Sequence, residues 1–151
     1  MPYDRFGEVA AALDGYAFHV PLGDGSERLR PLDERRELLE THHQTWLLEP
    51  AAGAWRLDVF REPTADGLWV CRRDESLRLP YDELIAHTDD GIPYARPEIV
   101  LLFKAKHADR GPKDEADFEA VLPRLSPERR RWLAEWLARI HPGHRWLERL
   151  A

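Results

Sequence analysis

The sequence is poor in cysteine and contains no long apolar run. Its 151 residues include a single cysteine, Cys71, so an internal disulfide framework is excluded. No stretch approaches the roughly 20 apolar residues that a membrane-spanning helix needs. The N-terminus also lacks the basic-then-apolar pattern of a secretion signal. These absences predict a cytoplasmic protein without a membrane partner.

The sequence also has no excess of basic residues over acidic ones. The net charge of −6 does not suit a protein that neutralises phosphates along its surface, and we expect no nucleic-acid partner. The arginines of PERRRWLAEWLARI alternate with apolar residues at helical spacing, which is typical of the solvated side of an amphipathic helix. No G-x-S-x-G motif is present, so serine hydrolysis has no support.

The remaining composition is that of a folded domain, with 43% hydrophobic and 33% charged residues. Strand-like patterns concentrate in the first half and helical periodicity in the second. We predict an α+β fold, with a small antiparallel or mixed, hairpin-rich sheet that helices pack against. The prediction is a single domain over 1–151, mostly sheet with one N-terminal helix over 1–79 and helical over 80–151. Predicted strands cover 16–20, 41–48, 54–61, 68–72 and 77–79, and predicted helices cover 3–13, 80–88, 97–107, 114–122, 128–140 and 145–150.

Asp58 is the strongest candidate for chemistry. It lies inside the strand-like stretch AWRLDVF, although aspartate is unfavourable in strands and costly to bury unpaired. One interpretation is a solvent-facing carboxylate paired with Arg56 on the same strand face. The other is a carboxylate held on a sheet to bind Mg²⁺ or to accept a proton from an attacking hydroxyl. A transition-metal site with His42 or His43 is a weaker third interpretation.

A second group of candidates lies in the helical half. Lys104 follows a largely apolar helical stretch, so its ammonium is expected to meet an anion or a carboxylate. Asp114 and Asp117 are one helical turn apart near a helix N-terminus, next to Lys113. These residues indicate either a cap with local ion pairs, in which Asp114 caps the helix, or a rim that holds phosphates.

The six tryptophans of the chain allow two interpretations. Tryptophan is a large hydrophobic residue, and packing in the core and in hairpins explains all six positions. A platform on which nucleobases stack is the alternative.

Several of these segments together resemble a known family. The runs WRLDVFREP, LWVCRRDESLRLP, GIPYARPEIVLLFKAKH and KDEADF, with the C-terminal LPRLSPERRRWLAEWLARIHPGHRWLERL, resemble the latter part of nucleotidyltransferase-fold proteins. The relatives implied are the aminoglycoside and lincosamide adenylyltransferases and, more distantly, abortive-infection toxin nucleotidyltransferases. The combination of PEIVLLFKAKH with KDEADF is the most specific part.

The resemblance implies a function. In that fold three carboxylates hold two Mg²⁺ ions on a nucleoside triphosphate, and a hydroxyl of a small acceptor attacks the α-phosphate. Asp58 matches the third carboxylate, as catalytic residue and metal ligand. Lys104, Lys113, Asp114 and Asp117 match the stretch that lines the nucleotide site.

The sequence departs from the family at its beginning. The Gly-Gly turn and D-x-D pair that supply the other two carboxylates are absent, and MPYDRFGEVAAALDGY resembles the segment after them. We expect either a start further upstream or a natural short form. The first hypothesis is therefore a nucleotidyltransferase-like enzyme acting on a nucleoside triphosphate and a small acceptor. The second is a non-catalytic remnant that binds a partner, or a second copy of itself, through an open sheet edge.

Overall fold

The computed structural model describes residues 1–23, 29–32, 37–107 and 111–151. The chain divides into two compact units, Met1–Arg78 and Leu79–Ala151. Small antiparallel sheets combine with helices, so the predicted α+β class is confirmed. The single-domain organisation stays a prediction.

The first unit is built around a four-stranded antiparallel sheet, in which β2 (Leu29–Pro31), β1 (Ala17–Pro21), β3 (Gln44–Glu49) and β4 (Ala54–Phe60) lie side by side in this order. Buried Phe6, Val20 and Leu32 form its core, and Val59 packs against them. A hairpin, β5–β6, and the start of β7 follow in the chain. The elements are α1 (Phe6–Ala12), β1 (Ala17–Pro21), β2 (Leu29–Pro31), α2 (Leu38–Thr41), β3 (Gln44–Glu49), β4 (Ala54–Phe60), β5 (Thr64–Ala65), β6 (Leu68–Val70) and β7 (Arg78–Pro80).

The structure contains the predicted β3–β4 hairpin, and its strand register is irregular at one point. Gly53 adopts a φ of 59° in the connecting turn, a left-handed conformation that glycine accepts without strain. Between Leu47 and Leu48 the register shifts, because Leu47 pairs with Leu57 whereas Leu48 pairs with Trp55. Arg56 is therefore the extra residue of a β-bulge.

The second unit is mainly helical. Helix α3 (Pro97–Lys104) packs against α4 (Pro112–Val121) and α5 (Pro127–Ile140), and α5 packs against α6 (Leu147–Leu150). Buried leucines of α3 and α5, with Phe118 and Trp146, form the core. Ser126 caps α5, since its side chain accepts a hydrogen bond from Arg129 N, as the sequence predicts. The elements are β8 (Ile85–His87), β9 (Pro93–Ala95), α3 (Pro97–Lys104), α4 (Pro112–Val121), α5 (Pro127–Ile140) and α6 (Leu147–Leu150).

Two predicted elements differ from the structure. The helix predicted over 80–88 is only a 3₁₀ turn, Tyr81–Leu84, and strand β8 follows it and pairs with β9. Gly91, at a φ of 85°, closes this hairpin. The strand predicted from Thr41 begins later, because Thr41 belongs to α2 and His42 N bonds Leu38 O at 2.9 Å.

Glu115 ties α6 to α4 in the second unit. Its Oε2 accepts hydrogen bonds from Trp146 Nε1 at 2.7 Å and from Arg145 at 2.8 Å, and its Oε1 accepts one from Arg149 at 2.9 Å. The Trp146 ring is fully buried and stacks on Phe118 with a centroid separation of 4.3 Å. The indole N–H therefore depends on this carboxylate for its partner.

Replacing Glu115 with alanine is expected to lower the free energy of unfolding by about 2 kcal/mol, because a buried indole donor loses its acceptor. Urea unfolding followed by circular dichroism measures the change. Glu119→Ala is the matched control one turn later: Glu119 pairs with Arg149 at 2.5 Å near the surface, so its loss should cost less than about 1 kcal/mol. Equal costs for the two variants would contradict the role given to Trp146.

Candidate functional site

Asp58 lies on one face of the four-stranded sheet, opposite Trp46 on β3. Its Oδ2 accepts a hydrogen bond from Gln44 Nε2 at 2.6 Å. The proposed pairing with Arg56 is not found. The bulge takes Arg56 out of alternation with Asp58, and its guanidinium bonds Glu49 at 2.7 Å instead. Among the described residues, Asp58 is thus a carboxylate held by an amide and not by a cation.

Aromatic rings lie next to Asp58 on the sheet. Trp46, its cross-strand partner, makes an edge contact with Trp55 at a centroid distance of 5.9 Å. Trp55 makes a second edge contact with His19 at 5.1 Å and is 44% exposed. Trp46 and Trp55 thus pack on each other across the β3–β4 hairpin, as the packing interpretation predicts, and their rings meet edge to face and do not form one continuous stacking surface.

The surroundings of Asp58 disfavour its ionised form. Burial raises the pKa of its carboxyl above the ordinary aspartate value, and the hydrogen bond from Gln44 opposes this change in part. Asp58 is nevertheless exposed, as the solvent-facing interpretation predicts, so solvent limits this effect.

The described contacts of His42 and His43, the two histidines just before β3, do not include Asp58. The His43 ring packs on Phe60 at a centroid distance of 5.8 Å, and burial lowers its pKa. His42 Nδ1 lies 2.9 Å from the Thr41 hydroxyl. Within the described part of the chain, no group of three or more histidine, cysteine or acidic side chains is arranged to hold a metal ion.

In the second unit, the structure brings together three of the residues matched to the nucleotide site. Lys104 Nζ lies 2.9 Å from Asp114 Oδ1 and 2.8 Å from Asp117 Oδ2. The hydrogen bonds to Asp117 and Asp114 raise the pKa of Lys104, and the hydrogen bond from Lys104 lowers the pKa of Asp117. With one ammonium and two carboxylates, this ion cluster carries a net charge of −1.

The prediction that Asp114 caps α4 is wrong. Asp114 does not cap the helix: Gly111 is at the N-cap, without a side-chain hydrogen bond, and Asp114 lies in the first turn with its carboxylate on Lys104. Lys113 is exposed, and its charge makes a smaller contribution to the lowered pKa of Asp117 than the hydrogen bond from Lys104 does. The roles of these residues at a nucleotide site stay predictions.

An open groove of about 320 Å³ lies between α3 and α4, beside the ion cluster. This volume is at the small end of ligand pockets. Its described lining is apolar apart from Lys104 and Asp117 at one end. The lining residues are Ala95, Pro97, Val100, Leu101, Lys104, Asp117, Ala120 and Val121.

Sequence reasoning missed Gln44 and the groove. Gln44 could have been found from strand register, because it lies diagonal to Asp58 across the hairpin. The groove had no comparable signal, since Val100, Ala120 and Val121 look like ordinary helix-surface residues.

Comparisons with protein-family models, with curated proteins and with solved structures found no match. None of the described helices has the length and apolar character required to cross a bilayer.

Asp58→Asn is expected to stabilise the protein at neutral pH. Since the folded-state pKa is raised, the ionised carboxylate costs stability above that pKa, and the cost disappears below the ordinary value of about 4. The advantage of the variant in melting temperature should therefore grow as the pH rises from about 4 to 7.

Melting temperatures of both proteins across this pH range provide the measurement. Asp89→Asn, at an exposed turn position, is the control for the loss of one charge. An advantage of Asp58→Asn that shrinks as the pH rises would contradict the direction of the pKa change.

Proposed function

We propose that this chain is a nucleotidyltransferase-like protein that binds a magnesium-bound nucleoside triphosphate and serves the transfer of a nucleoside monophosphate to a small hydroxylated acceptor. Asp58 is the catalytic carboxylate and metal ligand of this proposal. Lys104, Lys113, Asp114 and Asp117 belong to its nucleotide-binding side. The observation that carries the proposal is Asp58 itself, a mid-strand carboxylate without a cationic partner among the described residues.

The placement of Asp58 suits such a role. A strand fixes the direction of its carboxylate, and Gln44 holds only Oδ2, which leaves Oδ1 for a ligand. Its raised pKa shows an environment where a carboxylate gains from a nearby positive charge. The resemblance of WRLDVFREP and of PEIVLLFKAKH with KDEADF to the family supports the proposal from the sequence.

The described residues do not fit a complete two-metal site. Asp58 supplies one carboxylate, whereas its described neighbours on the sheet are Trp46, Trp55 and Gln44. One carboxylate suits a single ligand position on Mg²⁺, a cation that takes oxygen ligands in octahedral geometry. In this proposal Asp58 would supply one oxygen ligand to the cation.

A calorimetric titration with Mg²⁺ and a non-hydrolysable ATP analogue tests the proposal. The wild-type chain should bind, and Asp58→Asn should weaken binding at least tenfold, which is about 1.4 kcal/mol, because the cation loses its carboxylate. Absence of binding by the wild type would overturn the nucleotide proposal for this chain.

Glu49→Gln is the matched control for this titration. It removes one negative charge from the neighbouring strand, where the partner of Glu49 is Arg56. Affinity should stay within about threefold of wild type, since a distant surface charge is screened by salt. Equal weakening by both variants would assign the effect to net charge and not to Asp58.

A non-catalytic module that pairs through a sheet edge is the second candidate, and β4 favours it. β4 is the last strand of its sheet, and Arg61 N bonds His43 O on β3. Phe60 O and Glu62 N instead bond Met1, on the side away from β3. By strand alternation, the main-chain N–H and C=O of Asp58 also face that open side, where a second copy of the chain can pair.

Leu57→Lys tests this second candidate. Leu57 is 42% exposed on β4, and a lysine there should prevent edge pairing, as edge lysines do in natural sheets. Sedimentation equilibrium at increasing protein concentration should show dimers for the wild type and monomers for the variant. Val100→Lys, at a residue 37% exposed on α3, should still dimerise. A wild type that stays monomeric would overturn the candidate.

A further inference from the structure

The β8–β9 hairpin of the second unit has a regular hydrogen-bond ladder. Leu84 O accepts a hydrogen bond from Arg96 N at 2.8 Å, and Thr88 N donates one to Ile92 O at 3.0 Å. In an antiparallel pair, residues that bond the partner strand alternate with residues whose main-chain groups face away from it. Leu84, Ala86 and Thr88 therefore face β9, and the two residues between them face outward.

The outward-facing residues of β8 are Ile85 and His87, and their edge of the hairpin is open. Ile85 N donates to Asp82 O in the preceding turn. The carbonyl of Ile85 and both main-chain groups of His87 have no hydrogen-bond partner among the described residues. The outer edge of β9 is poorer in donors, because Pro93 has no N–H. An added strand therefore finds its main-chain partners on β8.

The side chains of the hairpin leave apolar surface exposed on both faces. Ile85 is 40% exposed, and Tyr94, which pairs with its neighbour Ala86 and so lies on the other face, is 42% exposed. Isolated two-stranded hairpins are marginally stable in water, and a third strand with apolar contacts stabilises them. Within the described residues, the sheet of β8 and β9 has only these two strands.

Arg96 fixes the open end of the hairpin to the helical core of its own unit. Its guanidinium donates to Glu83 O at 2.7 Å and to Glu98 Oε1 at 2.7 Å. Glu98 is fully buried in the first turn of α3. Because β8 is held in place before a partner arrives, less conformational freedom is lost on binding.

The charge around β8 indicates the kind of partner. Residues 79–95 contain four acidic residues and no lysine or arginine, and all four carboxylates are exposed. Asp82 and Glu83 precede β8, and Asp89 and Asp90 follow it. If β8 of a second copy paired with β8, in either orientation, carboxylates would lie beside carboxylates and repel each other. A basic segment is attracted at both ends of the strand.

We propose that the outer edge of β8 binds an extended segment of a partner protein, which adds a third strand to the hairpin. The segment has basic residues at both ends, opposite the acidic residues that flank β8, and apolar residues between them, which cover Ile85 and Tyr94. Strand addition of this kind obtains affinity from main-chain hydrogen bonds and specificity from side chains. This interaction goes beyond the proposed function, since it involves neither Asp58 nor a nucleotide.

A titration of the full chain with the heptapeptide Lys-Lys-Val-Thr-Val-Lys-Lys, acetylated and amidated at its ends, tests the proposal. Amide and methyl resonances are followed by nuclear magnetic resonance. The His87 amide and the Ile85 methyls should shift and saturate together, and the affinity should fall as salt screens the charges. Absence of binding, or shifts that leave these two residues unaffected, would overturn the proposal.

Two altered peptides separate the contributions. Replacing the four lysines with glutamate reverses the charge, and adding N-methyl groups to the three central residues removes their main-chain donors but keeps the charge. Each altered peptide should bind at least tenfold more weakly than the original. Undiminished binding of the glutamate peptide would contradict the charge argument, and undiminished binding of the N-methylated peptide would exclude strand addition.

Three variants of the chain locate the edge. His87→Pro removes the outward N–H of β8 and should weaken binding of the original peptide at least threefold, whereas His87→Ala keeps this N–H and should change the affinity less than twofold. Ala95→Pro is the matched control, because it removes an outward N–H from β9, and it too should have less than a twofold effect. Circular dichroism verifies that each variant is folded. Equal weakening by both proline variants would overturn the assignment to β8.

Discussion

A buried guanidinium organises the first unit. Arg61 follows β4 and is almost fully buried, with hydrogen bonds to the Thr45 hydroxyl and to His42 O. Its charge lies over the Phe6 ring at 4.8 Å and over the Tyr3 ring at 5.9 Å. Burial lowers its pKa, yet an arginine stays protonated in proteins, so the fold keeps this cation through dipoles and aromatic rings. The end of β4 and the N-terminal helix are thereby fixed to β3, and Asp58 lies three residues before this anchor.

The carboxylates of the two units have opposite electrostatic surroundings. Asp114 and Asp117 both pair with Lys104, and these ion pairs connect α4 to the end of α3 in the second unit. Asp58 has an amide for a partner and aromatic rings for neighbours, so its ionised form is disfavoured until a cation approaches. Asp58 is itself exposed on the sheet face, so solvent shares in stabilising its charge.

The sequence predicts the elements that local chemistry decides. Proline at the first position of α3 and α5 and the Ser126 cap appear as the pattern indicates, whereas the alternation expected in β4 is interrupted at Arg56. The β8–β9 hairpin was missed because its strands are three residues long and depend on the turn at Gly91 more than on periodicity. The bulge at Arg56 was missed because a single inserted residue leaves no mark on an alternating pattern, yet it removes Arg56 from alternation with Asp58.

In the candidate site, too, the features that depend on local chemistry could be predicted from the sequence, and those that depend on tertiary contacts could not. That Lys104 meets an anion follows from an ammonium on an apolar helix, and the spacing of Asp114 and Asp117 makes both available. Which anion it meets is decided by tertiary packing of α4 against α3, and the answer changes the chemistry. Lys104 contacts Asp114 and Asp117 of its own chain, and its role at a phosphate stays a prediction. An ammonium expected to meet an anion thus meets two carboxylates of its own chain, and only the contacts in the folded chain reveal which anions these are.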